Sequence, residues 1–191
     1  DACRTIVQNC IMDFGGVDIL ISNAGYAFES SILSLDISKL RESFDLNFYA
    51  HFNMSKEVSK TLINQGLGGK ILFNVSKQAV NPGKNFGAYG LPKATLLFLL
   101  KQLALELGEH KISVNGVNAD KIRSGLLTPE MIQNRSKSRG LDESKYMKGN
   151  LLSEEVKAIH VAEGFLALAK SERTSAHILT IDGGNIEASL R

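Results

Sequence analysis

Apolar residues along this chain follow two alternating patterns, short continuous runs and longer stretches with helical spacing. The continuous runs predict buried strands at 17–22, 70–76, 112–118 and 177–182. Helical spacing predicts helices over 3–14, 38–63, 89–107 and 128–136, and a last one over 154–169 that Ser153 caps. Buried strands that alternate with helices predict a parallel sheet covered by helices on both faces.

The order of these elements places the chain in the α/β class, as a doubly wound, Rossmann-like parallel sheet. No internal repeat, low-complexity tract or linker divides it, so we expect a single domain over 1–191. In sheets of this kind ligands bind beyond the carboxyl ends of the strands. Candidate functional residues should therefore lie just after the predicted strands.

Charge and composition exclude several classes of function. The 191 residues carry a net charge of +2, with lysine and arginine spread along the chain, which argues against a nucleic-acid-binding face. No apolar stretch approaches the roughly 20 residues that span a bilayer, and the first residues lack a signal-peptide pattern. We therefore expect a cytoplasmic protein without a membrane partner. The histidines and cysteines lack metal-ligand spacing, so no metal site is predicted.

The sharpest chemical signal is a tyrosine and a lysine four residues apart at the start of a predicted helix. Tyr89 and Lys93 share one helix face and should project toward the strand ends. An ammonium near a phenol favours the phenolate and lowers its pKa from about 10, which suits a general base acting on an alcohol. Alone the pair is weak evidence, because most such pairs lie on solvated helix surfaces.

Other polar residues at predicted strand ends strengthen this signal. Ser76 ends the strand that precedes Tyr89, where its hydroxyl could share a substrate oxygen with the phenol. Asn23-Ala24-Gly25 follows the first strand, and Asn47 lies inside the helix between these two strands. Two structural interpretations stay open at this point, a packed strand serine for Ser76 and a helix-kink asparagine for Asn47.

Together these motifs resemble the short-chain dehydrogenase/reductase family, over the whole chain and in the same order. The resemblance rests on the Asn-Ala-Gly turn, the asparagine of an N-x-x-G motif with Ala50 for the glycine, the strand-end serine, the Y-x-x-x-K pair and the closing LTIDGG. It implies that Tyr89 exchanges a proton with the substrate oxygen and that Ser76 orients that oxygen. It also implies that Lys93 binds the nicotinamide ribose and lowers the Tyr89 pKa, and that Asn47 holds a water for proton relay.

The same resemblance implies NAD or NADP as cofactor, with NAD favoured. It assigns the nicotinamide half to Tyr89, Lys93, Asn23, Ala24, Gly25, Ala119, Asp120, Ile122 and Ser124. The run ADKIRS at 119–124 departs from the Pro-Gly, hydrophobic and Thr pattern that the family shows there. Its charges indicate either a polar substrate or a salt-bridged loop.

A second departure is that these 191 residues contain no glycine-rich turn for the pyrophosphate and no residue that selects NAD over NADP. We therefore expect an N-terminally incomplete domain in which 17–22 forms a sheet edge. We also expect these residues alone to be inactive.

Three runs, at 73–95, 114–131 and 180–191, most resemble the C-terminal domain of bifunctional rhamnulose-phosphate aldolase/alcohol dehydrogenase proteins. This implies a fused aldolase domain, a homo-oligomer and a role in carbohydrate metabolism, with a small hydroxy or aldehyde substrate such as lactaldehyde. The alternative function is a non-catalytic fragment or assembly module of a larger protein, in which helices 38–63 and 89–107 pair two subunits. The basic segment 125–150 could cover the substrate, attract an anion or be plain solvated surface.

Overall fold

The computed structural model describes residues 2–185, which form a parallel sheet between two layers of helices. Residues 186–191, part of the run 180–191 that carries the family resemblance, lie outside the described residues. The strands are β1 (Ile19–Ser22), β2 (Gly69–Asn74), β3 (Ile112–Ala119) and β4 (Ile178–Ile181). The α-helices are α1 (Ala2–Phe14), α2 (Ile37–Phe44), α3 (Ala50–Gln65), α4 (Gly87–Leu107), α5 (Pro129–Ser138), α6 (Glu143–Met147) and α7 (Ala158–Lys170).

The strands lie in the order β1-β2-β3-β4, and every neighbouring pair is parallel. The α/β fold class and the parallel, helix-covered sheet predicted from the sequence are thereby confirmed. Within residues 2–185, β1 forms one edge of the sheet, also as expected. The carboxyl ends of β1, β2 and β3 consequently lie side by side at one end of the sheet.

The position of β2 inside the sheet explains why its sequence is apolar at consecutive positions. Ile71 and Phe73 join a core with α3 and α4, whereas Leu72 joins a second core with α7 on the other face. A central strand of a parallel sheet is buried on both faces, so its apolar run does not alternate with polar residues. The layers of helices that the sequence predicted are therefore α3 and α4 on one side and α7 on the other.

Burial at the β1 edge differs from the expectation. The helix predicted over 3–14 is α1, in which Val7 is buried but Ile6 and Phe14 are exposed. Ile19 and Ile21 of β1 are about half exposed, although a buried strand was predicted. The reason is the position of β1, because an edge strand is covered by neighbours on one side alone.

The helix predicted over 38–63 is interrupted by a π-helical turn at Asp45–Tyr49, between α2 and α3. The N–H of Ala50 donates to the carbonyl of Asp45, five residues earlier. Single π turns inside α-helices often occur at functional sites, since the extra residue redirects the side chains around it. Asn47 lies in this turn.

Helix α7 begins at Ala158, so the prediction that Ser153 caps a helix from 154 is wrong. Ser153 has a positive φ of 53°. The Asn150 side chain donates to the Glu154 carbonyl at 2.7 Å. This hydrogen bond holds the Glu154 backbone in a non-helical conformation. The helix starts four residues later, where the N–H of Lys157 donates to Nδ1 of His160.

The basic segment 125–150 after β3 is folded and has its own apolar core, so it is not plain solvated surface. Thr128 caps α5 by accepting a hydrogen bond from the N–H of Met131, and α5 and α6 share a small apolar core. That core contains Leu127, Ile132, Tyr146 and Met147. The segment therefore covers the end of the sheet at which the predicted functional residues lie.

Candidate active site

Tyr89 and Lys93 lie together at the beginning of α4, and both are almost fully buried, with 6% and 2% of their surface exposed. The Lys93 ammonium lies 5.7 Å from the centre of the Tyr89 ring. It donates a hydrogen bond of 2.9 Å to the carbonyl of Asn74, the last residue of β2. The lysine is therefore fixed against the end of the central strand, next to the tyrosine.

Ser76 completes this group two residues after β2. Its side chain lies beside the Tyr89 hydroxyl, where it acts to lower the pKa of that group, and its own hydroxyl oxygen accepts a hydrogen bond from the N–H of Gln78 at 3.2 Å. This hydrogen bond caps a short 3-10 helix, and the serine has an extended backbone conformation. The three side chains that the sequence singled out as Ser76, Tyr89 and Lys93 thus meet in one place.

Burial controls the acidity of this pair. It raises the pKa of Tyr89 to about 12, against the opposing effect of the neighbouring Ser76 side chain. It lowers the pKa of Lys93 to about 8. The expected lowering of the Tyr89 pKa by Lys93 is not what this structure shows, because removing two neighbouring groups from water disfavours the charged form of each.

Asn47 is fully buried, and its side chain forms hydrogen bonds with the backbone of the loop after β1. Its Nδ2 donates to the Tyr26 carbonyl at 2.8 Å and to the Ser43 hydroxyl at 3.0 Å, while its Oδ1 accepts from the N–H of Tyr26 at 3.1 Å. The side chain therefore fixes the loop after β1 to the helix layer. The role of Asn47 in holding a relay water stays a prediction.

The loop at 119–124 is salt-bridged, in agreement with one of the two interpretations that the sequence left open. Asp120 accepts from Lys77 at 3.0 Å, and Arg123 pairs with Glu155 at 2.7 Å. Lys121 adopts a positive φ of 52° and donates to the Tyr146 and Gly149 carbonyls. These charges are bound within the protein, so they do not by themselves indicate a polar substrate.

A pocket of about 960 Å³ opens at the carboxyl ends of the strands, beside Tyr89. The predicted residues on its wall are Asn23, Gly25, Ser76, Tyr89, Ala119, Asp120, Ile122 and Ser124. Ala24, Asn47 and Lys93 do not line it. The pocket therefore gathers most of the predicted residues, with Lys93 buried behind Tyr89.

Phe86, His51 and Arg135 of the basic segment 125–150 also shape this site. Phe86 packs edge-on against the Tyr89 ring, with 6.4 Å between ring centres, and the Arg135 guanidinium lies 3.7 Å from the centre of the Phe86 ring. His51 is buried behind the site, where its Nδ1 lies 2.6 Å from the Ser22 hydroxyl. Burial and the charge of Lys93 lower the His51 pKa to about 4, so this ring is neutral at pH 7.

The described residues contain neither a candidate metal cluster nor a candidate membrane span. Among residues 2–185, no group of three or more His, Cys, Asp or Glu side chains lies together so that it could hold a metal ion. In the same part of the chain, no helix is long and apolar enough to cross a membrane.

Comparison with known proteins places the chain in a family. A family model described as "Enoyl-(Acyl carrier protein) reductase" matches residues 1–185. D-erythrulose reductase of Gallus gallus is 31% identical over 171 residues, which cover 89% of this chain and 68% of that protein. The uncharacterized oxidoreductase YuxG of Bacillus subtilis is 29% identical over 189 residues, which cover 95% of this chain and 27% of that protein.

The fold is shared with solved structures as well. Carveol dehydrogenase from Mycobacterium avium, in complex with NAD, superposes with a TM-score of 0.88 at 22% identity, over 97% of this chain and 70% of that one. At this identity the likeness shows the fold alone. The family model and the relatives above show more, and they agree with the arrangement of Ser76, Tyr89 and Lys93: the chain belongs to the short-chain dehydrogenase/reductase family.

Proposed function

We propose that this chain carries the catalytic centre of an NAD(P)-dependent oxidoreductase that acts on small hydroxy or carbonyl compounds. The observation that carries the proposal is that Ser76 and the buried Tyr89 line the same pocket, with the buried Lys93 ammonium next to the Tyr89 ring. When bound, a nicotinamide ring supplies or accepts the hydride. The residues of the chain then have to bind the substrate oxygen and move its proton.

Tyr89 carries that proton in this mechanism. Because burial raises its pKa to about 12, its hydroxyl is protonated at pH 7 and can donate to a substrate carbonyl oxygen. In the opposite direction the deprotonated Tyr89 oxygen receives the proton of an alcohol. Ser76 orients the substrate oxygen through its hydroxyl, and Lys93 stabilises the tyrosine when it has lost its proton.

The residues around the pocket fit the nicotinamide half of a dinucleotide. A side chain at Gly25 would approach Oδ1 of Asn47 at 3.3 Å and Leu126 at 3.6 Å, so glycine keeps the turn after β1 open to the pocket. Ser124 and Ile122 line the same pocket. We infer that NAD or NADP binds between these two segments, with NAD favoured by the family resemblance.

The wall beyond Tyr89 indicates a short, oxygen-bearing substrate. Phe86, Leu126, Leu127 and Met131 make it largely apolar, whereas the guanidinium of Arg135 is a partly buried donor within it. Among hydroxy-carbonyl compounds, lactaldehyde and four- or five-carbon ketoses are the candidates that we propose. A fused aldolase domain also stays a proposal; the 27% coverage of YuxG means that most of that relative lies outside the matched region.

The intact protein provides the test of the proposed function. Purified protein should reduce at least one of erythrulose, xylulose or lactaldehyde with NADH or NADPH, followed by the absorbance of the reduced nicotinamide. Cofactor binding should be measured in parallel by calorimetry. If no compound turns over with either cofactor and neither cofactor binds, the proposal is wrong.

Arg135 should contribute to substrate specificity by binding an oxygen at the end of the substrate that is remote from Tyr89. Its Nε donates to Glu29 at 2.7 Å and its Nη1 to the Tyr146 hydroxyl at 3.3 Å, which leaves further N–H groups for an oxygen in the pocket. Hydrogen bonds to a charged donor contribute about 1.5–3 kcal/mol, so Arg135→Met should raise KM for a ketose by about 10- to 100-fold with a smaller change in kcat.

The matched control is Arg139→Met. Arg139 also lies over an aromatic ring, that of Tyr146 at 5.2 Å, but it does not line the pocket. Steady-state kinetics of both variants should show the increase in KM for Arg135→Met alone. An equal change in the two variants would mean that the arginine supports the segment and does not bind substrate.

Self-association is a second function that a specific observation favours. Leu91, Phe98 and Leu105 are spaced seven residues apart on one face of α4, and their exposed fractions are 47%, 69% and 78%. Such a stripe of large apolar side chains is typical of a contact with another chain. We expect Phe98→Glu to lower the mass measured by light scattering, and the exposed loop change Leu67→Glu to leave it unchanged. Equal masses for all three proteins would contradict the assignment.

A further inference from the structure

Pro92 creates a defect inside the catalytic helix. It lies in α4 between Tyr89 and Lys93 and is buried. In an α-helix the N–H of residue 92 would donate to the carbonyl of Ala88, four residues earlier. Proline has no N–H, and its ring crowds that same carbonyl. Ala88 is fully buried, so water cannot satisfy the carbonyl, and another donor is required.

Ser43 supplies this donor from a different helix. Its hydroxyl, buried in α2, donates to the Ala88 carbonyl at 2.7 Å. The same oxygen accepts the hydrogen bond from Asn47 at 3.0 Å, so the single hydroxyl proton is committed to Ala88. A continuous series of bonds thus runs from the backbone of Tyr26 through Asn47 and Ser43 to the residue directly before Tyr89.

We propose that Ser43 is a positioning residue for Tyr89, and that it replaces the hydrogen bond that Pro92 removes. The bond fixes the backbone directly before Tyr89, and the proline ring fixes the backbone directly before Lys93. Together they set the distance between the phenol, the Ser76 hydroxyl and the ammonium. The inference rests on the proposed function, because it concerns the geometry of that reaction.

A double-mutant cycle between residues 43 and 92 in the intact protein tests the proposal. Ser43→Ala removes the donor, and we expect kcat to fall by about 10- to 100-fold, since small displacements of a reacting group have costs of this size. Cofactor affinity should change little, because Ser43 does not line the pocket in which we propose that the cofactor binds. Pro92→Ala restores an N–H at residue 92, so in that background Ser43→Ala should lower kcat by less than about 3-fold.

Two further variants separate this role from a general loss of packing. Ser43→Thr keeps the hydroxyl and should retain most of the activity. Thr95→Val removes a hydroxyl that donates to the Leu91 carbonyl at 3.0 Å on the same helix, but at an exposed position. The Leu91 carbonyl keeps the ordinary helical donor at residue 95, so this variant should behave as wild type.

The outcome that overturns the proposal is additivity. If Ser43→Ala reduces kcat by the same factor with proline and with alanine at 92, Ser43 does not compensate for the proline. Thermal unfolding of the four proteins is a second readout, and its midpoints must also be non-additive, even where Ser43→Ala alone is too unstable for kinetics. A wild-type protein without turnover would refute the proposed function, while the unfolding midpoints would still decide whether Ser43 replaces the missing bond.

Discussion

Replacing Tyr89 with phenylalanine is expected to lower kcat by at least about 100-fold, the loss typical of a missing general acid or base. The substitution removes one hydroxyl and keeps the ring that packs against Phe86. The cofactor contacts that we propose involve several residues besides this hydroxyl. The dissociation constant for NAD(H) or NADP(H) should therefore change by less than about 3-fold. Single-turnover kinetics and calorimetry on the same preparation measure the two effects separately.

The control for this prediction is Tyr49→Phe. Tyr49 is half exposed at the end of the π-helical turn and does not line the pocket. It should retain wild-type kinetics, which would exclude a general effect of removing a tyrosine hydroxyl. A Tyr89→Phe protein that keeps more than about a tenth of the wild-type rate would show that another group moves the proton.

The catalytic group was predictable because local sequence rules determine it. A helix places residues four apart on one face, which fixes Tyr89 beside Lys93, and a parallel sheet gathers strand ends, which brings Ser76 to them. The strands themselves followed from their apolar runs. Each of these features depends on residues close in sequence and on one general rule of sheet topology.

The features that sequence analysis missed depend on contacts between distant segments. Ser43 bonds to a carbonyl 45 residues away, and the proline within Tyr-Gly-Leu-Pro-Lys was the single local signal that such a donor is needed. The start of α7 is set by the side chain of Asn150, which competes with helix formation at Glu154. Exposure of α1 and β1 depends on which neighbours cover a sheet edge, and spacing within a segment does not report this.

The acidity of the Tyr89 and Lys93 pair illustrates the same limit. From spacing alone, an ammonium next to a phenol lowers the phenol pKa. In the folded chain both groups are removed from water, and desolvation acts on each in the direction of its neutral form. Which effect is larger depends on the depth of burial, and depth of burial is a property of the whole packing arrangement.

Lys93 should therefore support catalysis while it lowers the free energy of unfolding. Its pKa falls from 10.5 to about 8 on burial, and a shift of this size corresponds to roughly 3 kcal/mol of unfavourable free energy at pH 7. Lys93→Met removes the charge and leaves the Asn74 carbonyl without its donor, which costs about 1 kcal/mol. The net gain of about 1–2 kcal/mol should raise the unfolding midpoint by roughly 2–8 °C, while kcat falls by at least about 100-fold.

The pH dependence of this gain distinguishes a buried charge from better packing. Because the folded-state pKa lies below the unfolded-state value, the unfolded chain binds one more proton between about pH 8 and 10.5, and wild-type stability rises with pH across that window. The advantage of Lys93→Met should be complete below about pH 8 and should be lost before pH 10.5, where the missing hydrogen bond to Asn74 makes the variant less stable than wild type. Thermal unfolding at pH 7, 9 and 10 measures it, with the exposed Lys101→Met of the same helix as control. A Lys93→Met protein that is less stable than wild type at pH 7, or equally favoured at every pH, would mean that the buried ammonium does not oppose folding.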